Sequence, residues 1–110
     1  MNNDEIKIAV ENGHIEWQKH ALERMLQRGI SRDIVKSVLL SGTIIEDYPD
    51  DMPYPTALFM GWFEQKPFHV VAAFDSQSEH CFVITVYCPD LERFEQDYKT
   101  RRKNEGQSIT

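Results

Sequence analysis

Cysteine is scarce in this chain, with only Cys81 and Cys88 among 110 residues. Two thiols do not make the disulfide framework of a small secreted domain. If both lie on one strand, their odd spacing puts them on opposite faces, where they cannot bridge. Long apolar runs are also missing. None approaches the roughly 20 residues that span a bilayer, and none stands near the N-terminus as a signal peptide would. Repeats and low-complexity linkers are absent. There is no basic excess: 12 Lys and Arg face 18 Asp and Glu, a formal net charge of −6. Generic long-range attraction to a polyanion is thereby excluded. Neither a His-x-x-x-His nor a Cys-x-x-Cys spacing occurs, so no metal site and no cofactor are expected. These absences point to a reduced, soluble, cytoplasmic protein that does not engage a membrane.

A core is affordable, since 41% of the residues are hydrophobic, well above the disordered range. The expected organisation is an N-terminal arm or short helix over residues 1–13, a single α+β domain over 14–99 and a polar C-terminal tail over 100–110. Asn3-Asp4 can cap a short helix ended by Gly13, although a loosely ordered arm fits as well; His14–Trp17 reads as extended. Ala21, Leu22, Met25 and Leu26 give a helical stripe stopped by Gly29. Ser31 caps a second helix carrying Ile34, Val35, Val38 and Leu39, closed by Gly42. Thr43–Tyr48, Thr56–Phe63, Phe68–Asp75 and Cys81–Cys88 read as strands joined by short polar links. Leu91, Phe94 and Tyr98 then stand at helical spacing. The expected fold is α+β: two N-terminal helices, a four-stranded antiparallel meander sheet and a C-terminal helix.

Charge is unevenly distributed. Residues 1–16 carry a net −3, residues 17–39 a net +3, residues 40–80 a net −6, and residues 81–110 balance. The cationic stretch lies on the helix of His20, Arg24 and Arg28, spaced at i, i+4 and i+8. At 100° per residue these fall at about 0°, 40° and 80°, beside an apolar arc from about 100° to 240°. They form one ridge bordering the buried face. Cations repeated at i+4 repel weakly, so an anion should compensate them. Glu16, Glu23 and the acidic loop Glu46, Asp47, Asp50 and Asp51 could do so internally. An external phosphate or carboxylate would suit the planar guanidinium forks of Arg24 and Arg28 equally well.

Strand alternation sorts the remaining candidates. Val70, Ala72 and Phe74 share one face of their strand, with His69, Val71 and Ala73 on the other. Phe82, Ile84 and Val86 are expected on one face of the last strand, with Val83, Thr85 and Tyr87 opposite. His69 begins its strand and Thr85 and Tyr87 end theirs, so an antiparallel hairpin makes His69 and Tyr87 neighbours. Two imidazoles that titrate near neutrality, His20 and His69, could exchange protons. An arginine would steady a phosphorane-like transition state formed when a 2′-hydroxyl attacks the adjacent phosphate, with no metal required. His14 and His80 sit in turn-like contexts.

The same residues carry a family likeness. His20-Ala21, Arg24-Met25 and Arg28-Gly29-Ile30-Ser31 form a His-Ala-x-x-Arg-Met-x-x-Arg-Gly-Ile signature. It resembles the opening of a bacterial and archaeal family known only as a domain of unknown function. Pro67-Phe68-His69-Val70-Val71, Ile84-Thr85-Val86-Tyr87-x-Pro89-Asp90 and Asp97-Tyr98-Lys99-x-Arg101-Arg102 extend the likeness over roughly residues 18–102. Members of that family are similar in layout to the RelE- and barnase-like toxin ribonucleases, and some resemble the toxin halves of toxin–antitoxin pairs. The resemblance implies metal-independent RNA cleavage with His20, Arg24, Arg28, His69, Thr85 and Tyr87 as the functional set. The acidic balance of this chain departs from the usual basic character of RelE-like toxins.

The leading expectation is therefore a small RNase-like, toxin-type endoribonuclease in which Arg24 and Arg28 hold phosphate. Its partners would be RNA and an antitoxin or another small protein. The alternatives are a small-anion-binding module and a non-enzymatic interaction domain, a homodimer among them, that uses Tyr48, Met60, Trp62 and Phe63 as its contact surface.

Overall fold

Asn2 accepts a hydrogen bond from the Glu5 amide at 2.8 Å and opens helix α1, Asn3–Glu11. The computed structural model describes residues 1–102. A short strand β1, Ile15–Trp17, leads into helix α2, Lys19–Arg28. Gly29 ends α2 at φ +66, the left-handed conformation that a Cβ disfavours. Ser31 caps helix α3, Arg32–Ser41, by accepting from the Ile34 amide at 3.2 Å. Four strands follow: β2 Thr43–Tyr48, β3 Thr56–Phe63, β4 Lys66–Asp75 and β5 His80–Tyr87. They join β1 in one sheet of order β1-β5-β4-β3-β2.

All three helices lie on one face of that sheet. Ile6, Ala9 and Val10 of α1, Ala21 and Met25 of α2, and Val35, Val38 and Leu39 of α3 form a single buried cluster with Phe59, Val70, Phe74, Cys81, Val83 and Val86. Burial of each full-sized aliphatic side chain contributes about 1.5–3 kcal/mol, which outweighs the weak intrinsic stability of helices of nine or ten residues. Leu26 falls outside this cluster and is 86% exposed. The far face holds a second, smaller buried layer of Leu58, Met60, His69, Ala73 and Phe94.

The expected architecture needs correction. The sheet is mixed and five-stranded: β2 to β5 pair antiparallel in succession, and β1 adds a parallel edge to β5 through Ile15↔Cys81 and Trp17↔Val83. Three residues are too few for a period-two pattern to be read. The N-terminal segment is an ordered helix whose apolar side enters the core. The helix expected after the last strand does not form among the described residues: 88–102 run as turns with one bridge, Phe94↔Arg101. Asp90 accepts from the Glu92 and Arg93 amides, and Asp97 from those of Lys99 and Thr100. These side chains supply the backbone with partners that compete with a helix. The residues beyond 102 in the expected tail lie outside the described residues.

Strand β5 also departs from strict alternation. Val71 pairs with Thr85 and Ala72 with Val83, so Ile84 is an extra, unpaired residue. The bulge puts Val83 and Val86 together on the helix side, whereas Thr85 and Tyr87 share the far face with their partners Val71 and His69. Cys81 is buried within the strand and Cys88, just past its end, is exposed; both are free thiols.

Candidate functional site

His69 is completely buried on the far face and pairs in register with Tyr87 on one side and Met60 on the other. Both of its ring nitrogens are engaged. Nε2 lies 2.6 Å from the Tyr98 carbonyl oxygen, which can only accept, so Nε2 carries the proton. Nδ1 is then unprotonated in the neutral ring and accepts from the Tyr87 hydroxyl at 3.2 Å. The Phe94 ring stands edge-on to the imidazole at 4.6 Å between centroids. Burial lowers the His69 pKa; the hydrogen bond to the Tyr98 carbonyl opposes this, and the nearby charge of Arg101 adds to it. Burial likewise raises the Tyr87 phenol, and Arg101 partly opposes that. Near pH 7 the dyad is therefore a neutral imidazole with a protonated phenol.

The segment after β5 completes the surroundings. Arg101 donates from Nε at 2.6 Å and from a terminal nitrogen at 3.0 Å to the Glu46 carboxylate, 55 positions earlier in the chain. Its guanidinium also lies 5.0 Å from the Phe94 ring centre. Tyr48 donates to Glu46 at 2.5 Å. The Arg101 hydrogen bonds hold Glu46 below the usual carboxylate range, with Tyr48 adding to the effect and partial burial opposing it. Phe94 plugs the far face while this ion pair fastens the segment across it.

Beside this arrangement opens a cleft of about 400 Å³, lined by Tyr87, Arg28, Arg93, Arg101 and Asp90 among others. Arg28 reaches it from the last turn of α2 and is held by donating to the Val86 carbonyl at 2.7 Å. Arg101 is neutralised by Glu46, but Arg28 and Arg93 form no ion pair among the described residues. The cleft thus presents two unneutralised guanidinium groups and a phenol whose hydroxyl is oriented from behind by a buried histidine. No group of three His, Cys, Asp or Glu residues among the described residues is placed to hold a metal ion.

The candidates from sequence fall into two sets. Arg28, Tyr87 and, through its hydrogen bond, His69 meet at the cleft. His20 is exposed on α2, and Arg24 donates to Gln27 at 3.0 Å; neither lines the cleft. Glu16 and Glu23 form no ion pair with the ridge. Thr85 stands on the Tyr87 face of β5, paired with Val71. Of the residues considered as a contact surface, Met60 is buried, Phe63 packs against the core, and Tyr48 and Trp62 are exposed. Sequence reasoning missed Arg93, Phe94 and Arg101. The signal was present in the Asp-capped turns and the second cationic cluster, but the helical spacing of Leu91, Phe94 and Tyr98 masked it. His14 and His80 stack at 4.8 Å at the opposite end of β5.

Fold and site together define a small α+β domain that packs three helices on one side of a mixed sheet and carries an arginine-lined cleft at the end of its central strands. The chain belongs to the family described as Domain of unknown function (DUF4258), whose model matches residues 17–88. No curated protein and no solved structure matches it. The match ends at Cys88, so Arg28, His69 and Tyr87 fall within the family region while Arg93, Phe94 and Arg101 come from the segment beyond it. None of the helices described is long and apolar enough to cross a membrane.

Proposed function

We propose that the cleft binds the phosphodiester of single-stranded RNA and cleaves it without a metal ion, in the manner of the RelE- and barnase-like toxin ribonucleases. The observation that carries this reading is the convergence of Arg28 and Arg93 on Tyr87, whose hydroxyl donates to the buried His69. Paired guanidinium forks suit a phosphate and the charge that builds on it during attack. The Tyr87 oxygen takes the proton of the attacking 2′-hydroxyl as its own proton passes to His69 Nδ1. The new 2′-oxygen–phosphorus bond forms as the bond to the 5′-oxygen breaks, and the proton returns along the same path to that leaving oxygen. Burial lowers His69 and raises Tyr87, so the transfer to Nδ1 is the uphill half of this cycle and the return the downhill half.

On this reading, purified protein cleaves single-stranded RNA in EDTA, leaving 2′,3′-cyclic phosphate ends. Tyr87→Phe retains the ring and lowers the cleavage rate by about 10²–10⁴-fold, the usual contribution of a positioned proton-transfer group. Arg28→Ala weakens RNA binding. RNA left intact across varied sequences, or full activity in Tyr87→Phe, refutes the proposal.

A further inference from the structure

Arg28 and Cys88 form a wall common to two cavities. On the far side of the cleft that holds Tyr87 lies a second hollow of about 190 Å³. Its exposed lining is mostly polar: Glu64 and Lys66 bring charge to it, Phe63 and Ile34 are half-buried and supply its apolar part, and Ile30 and Phe68 are buried behind them. Glu64 and Lys66 flank Gln65 in the turn between β3 and β4, where Glu64 and Gln65 both adopt positive φ, 49° and 68°. That is the signature of a tight two-residue hairpin, and the pair Phe63↔Lys66 closes it. The turn therefore holds its side chains at a set register rather than on a long loop.

We infer that this second hollow is a base subsite: with a phosphate held at Arg28, the attached nucleobase enters beside Phe63, and Glu64 and Lys66 meet its polar edge. This rests on the phosphate-binding reading of the first cleft and adds to it a separate place for the base of the bound nucleotide. Size agrees, because complete ligand sites run to roughly 300–1,000 Å³ and the second hollow accommodates one ring system, not a whole nucleotide. Chemistry agrees too. Bases of single strands are held by apolar and aromatic contact on their faces and by hydrogen bonds on their edges. A carboxylate accepts from an exocyclic amine, and an ammonium donates to a ring nitrogen or carbonyl. A phosphate or sulfate ion alone has no use for such a hollow, whereas a nucleotide spanning Arg28 would fill both cavities.

The test is a pair of titrations of the full chain followed by amide NMR, one with inorganic phosphate and one with adenosine 3′-monophosphate. Phosphate is expected to shift the amides of Arg28, Cys88 and Arg93. The nucleotide is expected to shift these together with Gly29, Phe63, Glu64 and Lys66, and to bind about 5- to 150-fold more tightly, the range that base–aromatic contact supplies. Phe63→Leu keeps an apolar side chain against the core and should remove most of that preference while leaving phosphate affinity unchanged. Lys66→Ala, at an exposed position, should weaken only the nucleotide. If the nucleotide binds no more tightly than phosphate and leaves the Phe63–Lys66 amides unmoved, the base subsite is overturned while the phosphate site stands. If neither ligand binds, the phosphate reading falls, and the subsite with it.

Discussion

His69 shows how one residue can be both structural and chemical. It has no exposed surface, it donates to the Tyr98 carbonyl, and it accepts from Tyr87. Truncation leaves a cavity and strands a carbonyl acceptor. His69→Ala is therefore expected to cost about 2–4 kcal/mol, read as a lowered urea midpoint. The variant also separates two roles: Tyr87→Phe removes the hydroxyl with a smaller stability loss, so activity falls in a protein that remains folded. Histidine titration gives a second readout. The folded pKa of His69 lies below its unfolded value near 6.5, so on acidification the unfolded chain takes up the proton first. Stability present above pH 6.5 is lost as pH falls through that value towards the lower folded pKa. Urea midpoints should decline over this interval in the wild type and lose that component in His69→Ala. An unchanged decline in the variant would assign it to another group.

At the scale of elements, close packing makes two glycines informative. A Cβ on Gly42 would stand 2.5 Å from the Val38 carbonyl oxygen and 2.6 Å from that of Met60, both backbone atoms. Gly42→Ala must move α3 away from β3 and should destabilise by about 1–3 kcal/mol, measured by denaturant unfolding. A Cβ on Gly61 would stand 3.2 Å from the Val38 Cα, the milder case. The segment 88–102 is held differently, by Asp-capped turns, the Phe94 plug and the Arg101–Glu46 pair. Arg101→Ala removes the long-range fastening without touching the core. The amides of Phe94 and Tyr98 should then exchange hydrogen faster, while those of β3 and β4 keep their protection. Uniform acceleration across the sheet would show instead that the pair supports the whole fold. Acid acts on this fastening separately. The Glu46 pKa is depressed by Arg101, so its contribution persists at neutral pH and is lost only as pH falls through and below the ordinary carboxylate range, a later step than the histidine one.

For the molecule as a whole, the net charge of −6 and the local charge of the cleft carry different information. The total disfavours association with any polyanion at long range, whereas Arg28 and Arg93 act at hydrogen-bond distance, where the planar fork decides. RNA affinity should accordingly fall only modestly between low and moderate salt, since few phosphates are contacted. A steep salt slope in an RNA-binding titration would instead require an extended cationic track.

The two helix caps were legible before any coordinates. Ser31 and Gly29 act on backbone groups within a few residues of themselves, and such local interactions carry their geometry in the sequence. Arg28 could be placed on a ridge and Tyr87 beside His69 because helix and hairpin periodicities are local as well. The charge distribution and the spacing also placed a cationic ridge on α2. Only the closed sheet decided which arginines serve the cleft. The ridge splits, with Arg28 reaching Val86 while Arg24 turns to Gln27, and Arg93 and Arg101 arrive from a segment whose helical spacing is overruled by its own aspartates. The parallel pairing of Ile15 with Cys81 and the ion pair of Glu46 with Arg101 join residues far apart in the chain. Contacts of that kind leave no local pattern, because their free energy is gained only after the core between them has closed.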